Sequence, residues 1–524
     1  MSGLVIIFYL ASSTETVIVS SMKTVAKINP EAEYETAKKL IELASKQVLE
    51  GNELTSLDSS VDNLITAARV LMDREERRRG HPAPPKNHKP KGRQKGAERE
   101  EAKKLPSKRF PHLEVNEQKI LPTTTPICPC CSKEMKQSGL YDVSEKLEVI
   151  PKKYYIQRTL RPKFNCSHCH GSMINTPAEP SIVPLSNYGD SLIIDAALSK
   201  YCDLIPIERY VEMALRSGLV ESLPPQSLIG LTHHLANFLA SVNEKIKLEA
   251  QRAVLLMGDE TPHKMLEGDE TKNWYLWGFF SSTACYFEAH GTRSGDVVFD
   301  FLKNAHTQYL LSDGYTGYAK AIREIKEQFN KVIIEVHCNS HAYRYFEDAS
   351  ITWKEESEPF LEIYGKIYKL EQERKEVQGK ASREEQLEFR KNMVPLFEQL
   401  KSKCEEALKN VMPESGLMKA LRYFLNHYDG LTVCTKSIDI PLDNNLAERE
   451  LRAPVVGRKT WLGTHSKRGA LTSAALFSII SSCKINNINP RHYFPWIVER
   501  IHRNETVMTP YEYAQSLIPP ASSG

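Results

Sequence analysis

Hydrophobic positions follow strand spacing in one long stretch of the chain and helical spacing in much of the rest. Apolar runs at Val254–Met257, Trp274–Phe280 and Ala284–Phe287 predict three successive strands joined at hairpin spacing. Two later runs, Tyr309–Leu311 and Val332–Val336, each follow a segment with helical periodicity. The predicted element order is βββαβαβ, which indicates a mixed α/β core.

Helical periodicity lies on both sides of this core. Apolar residues at three- and four-residue spacing predict a helical arm over 30–79 and short helices over 190–252. A helix-turn-helix within 205–240 is one interpretation, although any short helical domain gives the same pattern. A charged, periodic stretch over 353–428 predicts helices inserted after the last strand.

Length and composition indicate several soluble domains. The 524 residues exceed the size at which a single core keeps growing. Hydrophobic residues at 41% and charged residues at 26% are near globular averages, which argues against disorder and against a membrane protein. The apolar run Leu4–Leu10 is too short to span a bilayer and lacks the basic start of a signal peptide. Translation from Met22 is an alternative start.

The net charge of the chain is only +3, but its basic residues are unevenly distributed and one tract is strongly basic. Residues 77–109 are rich in Lys, Arg and Pro and almost free of apolar anchors, so they predict a flexible linker. Its cations would add salt-dependent, sequence-independent affinity for DNA phosphates. A merely solvated tether is the alternative interpretation.

Two CxxC pairs, separated by 34 residues, predict a tetrahedral zinc site. Cys130 and His170 lie beside the pairs and are alternative ligands. The alternative to a zinc site is four buried cysteines that bind no metal. Alternation over Lys152–Arg158 predicts strands of a zinc ribbon. Eleven cysteines are too sparse for a disulfide scaffold, which favours a reducing, cytoplasmic compartment. The predicted zinc ligands are Cys128, Cys131, Cys166 and Cys169.

Three acids fall where a two-metal site would need them. Asp259 and Asp313 each follow a predicted strand, and Glu448 lies one turn into a helix that begins near Asp443 or Asn444. Magnesium prefers carboxylate oxygens, and two neighbouring ions can bind the attacking and leaving oxygens of a phosphodiester. This pattern predicts metal-dependent chemistry on a nucleic acid backbone.

Neighbouring charges complicate and extend this site. Glu260, Asp269 and Asp443 are close enough in sequence to compete for the metal-ligand roles. Basic residues after the third acid suit phosphates, although an exposed helix face balanced by Glu450 is the alternative. These basic residues are Arg449, Arg452, Arg458, Lys459, Lys467 and Arg468.

The motifs resemble, in order and spacing, the DDE transposases of the insertion-sequence-66 type. The main matching motifs are Gly258–Thr261, Ser312–Tyr318 and Asp443–Arg449, and the resemblance extends from the CxxC pairs to about Phe494. It implies that Asp259, Asp313 and Glu448 are the catalytic, metal-binding acids. The reaction implied is cleavage at the ends of an insertion sequence, followed by transfer of the freed 3′-hydroxyl into target DNA.

A seven-residue box, Cys338–Arg344, resembles a family box of the form Cys-Trp-Ala-His-x-Arg-Arg. Cys338, His341 and Arg344 match it, while the Trp, the Ala and one Arg are replaced. We expect His341 and Arg344 to contact DNA, as we expect for four residues on or after the third-acid helix. These four are Arg449, Arg452, Arg458 and Lys459.

The resemblance also implies cofactors and partners. Two Mg²⁺ ions, with Mn²⁺ as a substitute, would bind the three acids, and Zn²⁺ would be structural. Expected partners are double-stranded DNA as terminal repeats and target, further copies of the chain on DNA, and small accessory proteins of the same element, with no membrane. The expected location is the bacterial cytoplasm, on the nucleoid when bound.

The expected fold class is α/β, of the α+β multidomain kind, with an RNase H-like catalytic core that carries an all-helical insertion. The alternatives to a transposase are a catalytically inactive DNA-binding relative and an RNase H-like nuclease that cuts without joining. The expected segments are a poorly ordered N-terminus over 1–29, a helical arm over 30–79, a basic linker over 80–115, a DNA-binding zinc ribbon over 116–185, a helical DNA-binding or connecting region over 186–250, the catalytic domain over 251–470 with its insertion at about 352–430, and a C-terminal helical element over 471–524.

Overall fold

The computed structural model of the chain describes residues 105–118, 130, 132–134, 143–149, 152–164, 173–266 and 273–518. Several predictions fall elsewhere and lie outside the described residues. These are the segments 1–29 and 30–79, most of the 80–115 linker, the zinc ligands Cys128, Cys131, Cys166 and Cys169, the alternative ligand His170, and Asp269.

Short elements precede the main body. Helix α1 spans Pro106–Arg109, and strands β1 (Lys163–Phe164) and β2 (Ile174–Asn175) pair antiparallel. The prediction of strands over Lys152–Arg158 is wrong, because no strand is present there. Tyr155 and Ile156 in that stretch are exposed, Ile156 by 92%, so alternation in the sequence does not correspond to a buried face.

Four helices then fill the region predicted as helical. Pro225 occupies the first turn of the third helix, where a missing N–H costs nothing. Gly218, at φ +103°, follows the second helix. The helix-turn-helix interpretation stays a prediction. The helices are α2 Asp190–Tyr201, α3 Ile207–Arg216, α4 Pro225–Phe238 and α5 Ala240–Arg252.

A five-stranded mixed sheet forms the centre, in the βββαβαβ order that the sequence predicts. Its spatial order is β5-β4-β3-β6-β7. Strands β3, β4 and β5 pair antiparallel, while β3, β6 and β7 run parallel. The elements are β3 Leu255–Lys264, β4 Asn273–Phe280, β5 Cys285–His290, α6 Gly295–Leu302, β6 Tyr309–Ser312, α7 Thr316–Phe329 and β7 Ile334–His337.

Five helices follow the last strand. Phe346 stacks on Phe360 with ring centroids 4.8 Å apart, which joins the first two of these helices. A buried ion cluster ties the second to the third, because Glu371 accepts hydrogen bonds from Arg374 and Arg390. The helices are α8 Asn339–Ser350, α9 Lys354–Glu376, α10 Arg383–Lys391, α11 Val394–Ala407 and α12 Gly416–Thr432, with a 3-10 turn over Val433–Lys436.

Four further helices end the described part of the chain. The second of them is buried along most of its length and packs against the edge strand β5. The domain boundary predicted at 470 falls inside this helix. Among the described residues, no helix combines the length and apolar character needed to cross a membrane. The four are α13 Asn445–Trp461, α14 Lys467–Ile485, α15 Pro490–His502 and α16 Pro510–Ser516.

Candidate active site

The first two acids meet on neighbouring parallel strands. Met257 of β3 lies opposite Leu311 of β6. Two residues further along, the same register places Asp259 beside Asp313. Asp313 directly follows Ser312, the last residue of β6. The register thus brings together two acids that are far apart in sequence.

One detail of the sequence prediction is wrong. Asp259 does not end its strand, because β3 continues to Lys264. The antiparallel partner β4 accompanies β3 along this whole extension, so Asp259 pairs with Gly278. Asp259 therefore lies within a strand, at the point where pairing with β6 stops and pairing with β4 goes on.

Asp259 is in an environment that disfavours its charge. Burial raises the pKa of its carboxyl well above the usual range, and the negative charges of Glu260, Asp313 and Glu448 raise it further. The backbone N–H of Glu260 donates to Asp259 Oδ1 at 2.8 Å and partly opposes this effect. A buried carboxylate surrounded by other acids is the donor set that a divalent cation would stabilise.

Asp313 begins a tight turn. Its Oδ1 accepts from the backbone N–H of Tyr315 at 2.9 Å, which is a local Asx turn. Gly314 has φ +88°, a conformation that side-chain-bearing residues rarely adopt. The carboxylate is thus oriented by its own turn, directly after β6.

Glu448 is brought to the site by the first turn of α13, and the box residues meet it there. Arg344 donates to Glu448 Oε1 at 2.5 Å, and Nδ1 of His341 lies 3.8 Å from the same oxygen. Although burial lowers the pKa of Arg344, the charge and hydrogen bond of Glu448 raise it, with a net increase. Burial and the charge of Arg344 lower the pKa of His341.

Sequence reasoning missed how α13 is anchored. Asn444 precedes the helix without a side-chain capping bond. Its Nδ2 instead donates to the carbonyl oxygen of Gly258 at 3.0 Å, and its backbone N–H donates to Cys338 Sγ at 3.2 Å. Asn444 therefore ties the Glu448 helix to the residue before Asp259. The Asp-Asn-Asn motif marked the position, but its partner could not be read from spacing.

The competing acids have other partners. Glu260 accepts from Arg293 at 2.6 Å and from the Tyr318 hydroxyl at 2.9 Å. Asp443 accepts from the Tyr368 hydroxyl at 2.9 Å. These bonds give both carboxylates structural roles beside the site, whereas Asp269 lies outside the described residues.

The predicted basic residues are not equivalent. Arg449 is exposed and pairs with the buried Glu450 at 2.9 Å. Arg458 donates to Thr261 Oγ1 at 3.3 Å and to the carbonyl of Pro262, so it packs α13 against β3. Arg452 and Lys459 are exposed.

A second group of possible metal ligands lies around Glu448. Ligand atoms of Cys338, His341 and Glu448 lie within 4.8 Å of one another. Burial raises the pKa of the Cys338 thiol to about 12, and the Arg344 guanidinium already lies against Glu448. A protonated thiol does not suit a hard cation such as Mg²⁺, whereas the carboxylates do.

Similar proteins include three uncharacterized proteins of Sinorhizobium fredii (strain NBRC 101917 / NGR234). The protein y4jD is 23% identical over 396 residues, which cover 74% of this chain and 76% of y4jD. The protein y4hP is 25% identical over 405 residues, covering 73% and 71%. The protein y4qI is 27% identical over 410 residues, covering 74% and 73%.

Two family models match the chain. The model described as "zinc-finger binding domain of transposase IS66" matches residues 125–170, which include both CxxC pairs. The model described as "Transposase IS66 family" matches residues 186–472, more than half of the chain and all of the five-stranded sheet. With its zinc finger, its mixed sheet and its converging acids, this chain belongs to the IS66 family of transposases.

Proposed function

We propose that this transposase cuts DNA at insertion-sequence ends and joins the freed 3′-hydroxyl to target DNA, with Asp259, Asp313 and Glu448 as its catalytic acids. The three carboxylates would bind two Mg²⁺ ions, for which Mn²⁺ can substitute. When bound, such ions stabilise the charge that develops on the attacking and leaving oxygens of a phosphodiester.

The proposal rests on the convergence of three acids from separate elements. The parallel register of β3 and β6 supports a shared position for Asp259 and Asp313. The charges of Asp313 and Glu448 both contribute to the raised pKa of Asp259, which supports their closeness. Asp259 lies on a strand, Asp313 directly follows one and Glu448 lies on a helix. These elements supply a rigid frame for a reaction that depends on positioning.

Arg344 and His341 extend the proposal to the DNA. The guanidinium of Arg344 is exposed and lies beside Glu448, where it suits a phosphate oxygen near the reacting bond. His341 lies 3.2 Å from Arg344 and supplies a second polar group. We assign DNA backbone contacts to the exposed Arg449, Arg452 and Lys459, and a mainly structural role to Arg458.

The zinc finger completes the proposal. We assign its zinc to Cys128, Cys131, Cys166 and Cys169, because two CxxC pairs give the four thiolates of a closed structural site. The basic linker before it would add DNA affinity that falls with salt. The transposase would act as a multimer on paired ends, together with small accessory proteins of its element.

The test measures cleavage of an intact insertion-sequence end and strand transfer of a pre-cut end, both by the purified full-length protein with Mg²⁺. Asp259→Asn, Asp313→Asn and Glu448→Gln are each compared with the wild type. Asp300→Asn, which changes an exposed acid of α6, is the matched control. Each triad variant should lose joined products by at least about 100-fold, because even outer partners of metal ligands are worth about 10–100-fold. The control should retain them.

The other outcomes separate the alternatives. A wild type that binds ends but neither cuts nor joins would be an inactive DNA-binding relative. Cutting without joining would indicate a nuclease. Joining by any of the three triad variants at the wild-type rate would remove that residue from the proposed triad.

A further inference from the structure

The turn that carries Asp313 is in direct contact with the helical insertion, which comprises helices α9–α12. The hydroxyl of Tyr423, on α12, donates to the backbone carbonyl of Asp313 at 2.7 Å. Tyr423 and Asp313 are 110 positions apart in the sequence, so the bond joins the insertion to the core. It acts on the peptide unit between Asp313 and Gly314, where the turn begins.

A second residue of α12 packs against the same turn. A Cβ atom added to Gly314 would lie 2.9 Å from Nε2 of His427, so the imidazole touches the glycine backbone. The His427 ring lies 4.4 Å from the ring of His337, which ends the neighbouring strand β7. His427 therefore contacts the ends of two adjacent strands, while its Nδ1 is 2.7 Å from the carbonyl oxygen of Tyr423.

Tyr423 also contacts the helix that carries the box. Its ring lies 4.5 Å from the ring of Tyr345, the residue after Arg344 on α8. Arg344 in turn pairs with Glu448. One tyrosine thus bridges the turn of the second acid and the helix whose arginine meets the third acid.

We propose that Tyr423, supported by His427, is a positioning residue that fixes the Asp313 turn for metal binding, so that the insertion acts as a structural part of the active site. The inference rests on the proposed role of Asp313. A glycine at positive φ gives the turn backbone freedom, and the hydrogen bond to the Asp313 carbonyl restricts it. The hydroxyl of Tyr423 is the donor in this bond.

The expected effect is on metal affinity more than on folding. One hydrogen bond contributes about 1 kcal/mol, which corresponds to a change of roughly fivefold in an equilibrium constant. A small displacement of a reacting group can cost up to about 100-fold in rate. Loss of the hydroxyl should therefore weaken metal binding, and strand transfer should recover in part when Mg²⁺ is raised.

The experiment measures Mn²⁺ binding to the full-length protein without DNA, by the electron paramagnetic resonance signal of the free ion. Tyr423→Phe keeps the ring and removes only the hydroxyl. Tyr428→Phe, on the same helix, is the matched control, because its ring packs on Phe424 and Lys401 instead of the acid turn. Thermal unfolding and DNA-end binding are measured on both variants.

The expected result is a Mn²⁺ affinity about 3- to 10-fold weaker for Tyr423→Phe, with unfolding and DNA binding as in the wild type and no change for Tyr428→Phe. Wild-type Mn²⁺ affinity in Tyr423→Phe, or equal weakening in both variants, would overturn the inference. Asp313→Asn separates the two proposals. If it binds Mn²⁺ as the wild type does, the proposed function fails; if it loses Mn²⁺ while Tyr423→Phe keeps it, only the positioning role fails.

Discussion

At the scale of single residues, the site concentrates negative charge that the fold compensates unevenly. Glu260 pairs with Arg293, and Glu448 pairs with Arg344. Asp259 instead lies among the other acids, and its pKa is raised by burial and by their charges. Ionised Asp259 should therefore destabilise the metal-free protein, which is a common cost of a functional site.

Replacing Asp259 with Asn should stabilise the metal-free protein. A folded-state pKa raised above the unfolded value gives stability that is fully present below the unfolded pKa, about 3.9 for Asp, and is lost as the pH rises through the folded pKa. In EDTA, the advantage of Asp259→Asn over the wild type should therefore grow from pH 4 to pH 7, by on the order of 1 kcal/mol in the free energy of unfolding. Urea unfolding at several pH values measures it. A variant less stable than the wild type at pH 7 would contradict the electrostatic account.

Arg344→Ala should reduce strand transfer with little loss of stability. The Arg344–Glu448 pair is half-exposed, so it contributes at most about 1 kcal/mol to folding. Because Arg344 is the partner of a proposed metal ligand, its removal should lower the rate of strand transfer by about 10–100-fold. Arg383→Ala, which breaks an exposed pair with Asp439, is the control. Equal rates for the two variants would place Arg344 outside the reaction.

Local motifs and long-range contacts differ in what the sequence reveals. Asp259, Asp313 and Glu448 could be proposed from short motifs and their order. The roles of Asn444 and Tyr423 could not, because each depends on a bond to a residue more than 100 positions away. Spacing carries no information about such partners.

At the scale of elements, helix α14 protects the open edge of the sheet. The backbone N–H groups of Phe287 and Cys285 on β5 donate to the hydroxyls of Ser478 and Ser482, at 2.8 and 3.0 Å. Unpaired edge groups invite pairing with other chains, and these serines satisfy two of them. The bonds attach this helix, which spans the predicted boundary at 470, to the sheet.

Ser478→Ala should therefore cost more stability than an ordinary serine replacement. It would leave the buried N–H of Phe287 without its acceptor, at a cost of about 1–3 kcal/mol. Ser473→Ala is a matched control on the same buried helix, because the Ser473 hydroxyl bonds the Gly469 carbonyl of its own helix. Urea unfolding of both variants tests this. Equal losses would show that the edge bond contributes little.

The strands were predictable where a buried apolar run ended at turn residues, as for Tyr309–Leu311 before Asp313. They were not where partners decide the outcome. β3 extends past Asp259 because β4 pairs with it as far as Lys264. The alternation at Lys152–Arg158 forms no strand, and the side chains of Tyr155 and Ile156 remain exposed. Pairing is a tertiary property that a local pattern indicates only in part.

At the scale of the whole molecule, one sheet gathers residues from distant parts of the chain. The order βββαβαβ was predictable, and with it the adjacency of the strands that carry Asp259 and Asp313. The helical insertion was predictable as helices, but its contact with the Asp313 turn was not. The site therefore depends on the core, the insertion and α13 together, which is why its geometry had to come from the structure.

Diffraction from crystals of the full-length protein soaked in Mn²⁺, recorded at the manganese absorption edge, would locate the bound metal ions. We expect anomalous peaks among the carboxylates of Asp259, Asp313 and Glu448, and we expect them to be absent from crystals of Asp259→Asn. Peaks at Glu260 or Asp443 instead, or no peak at the three acids in crystals that bind Mn²⁺ elsewhere, would contradict it.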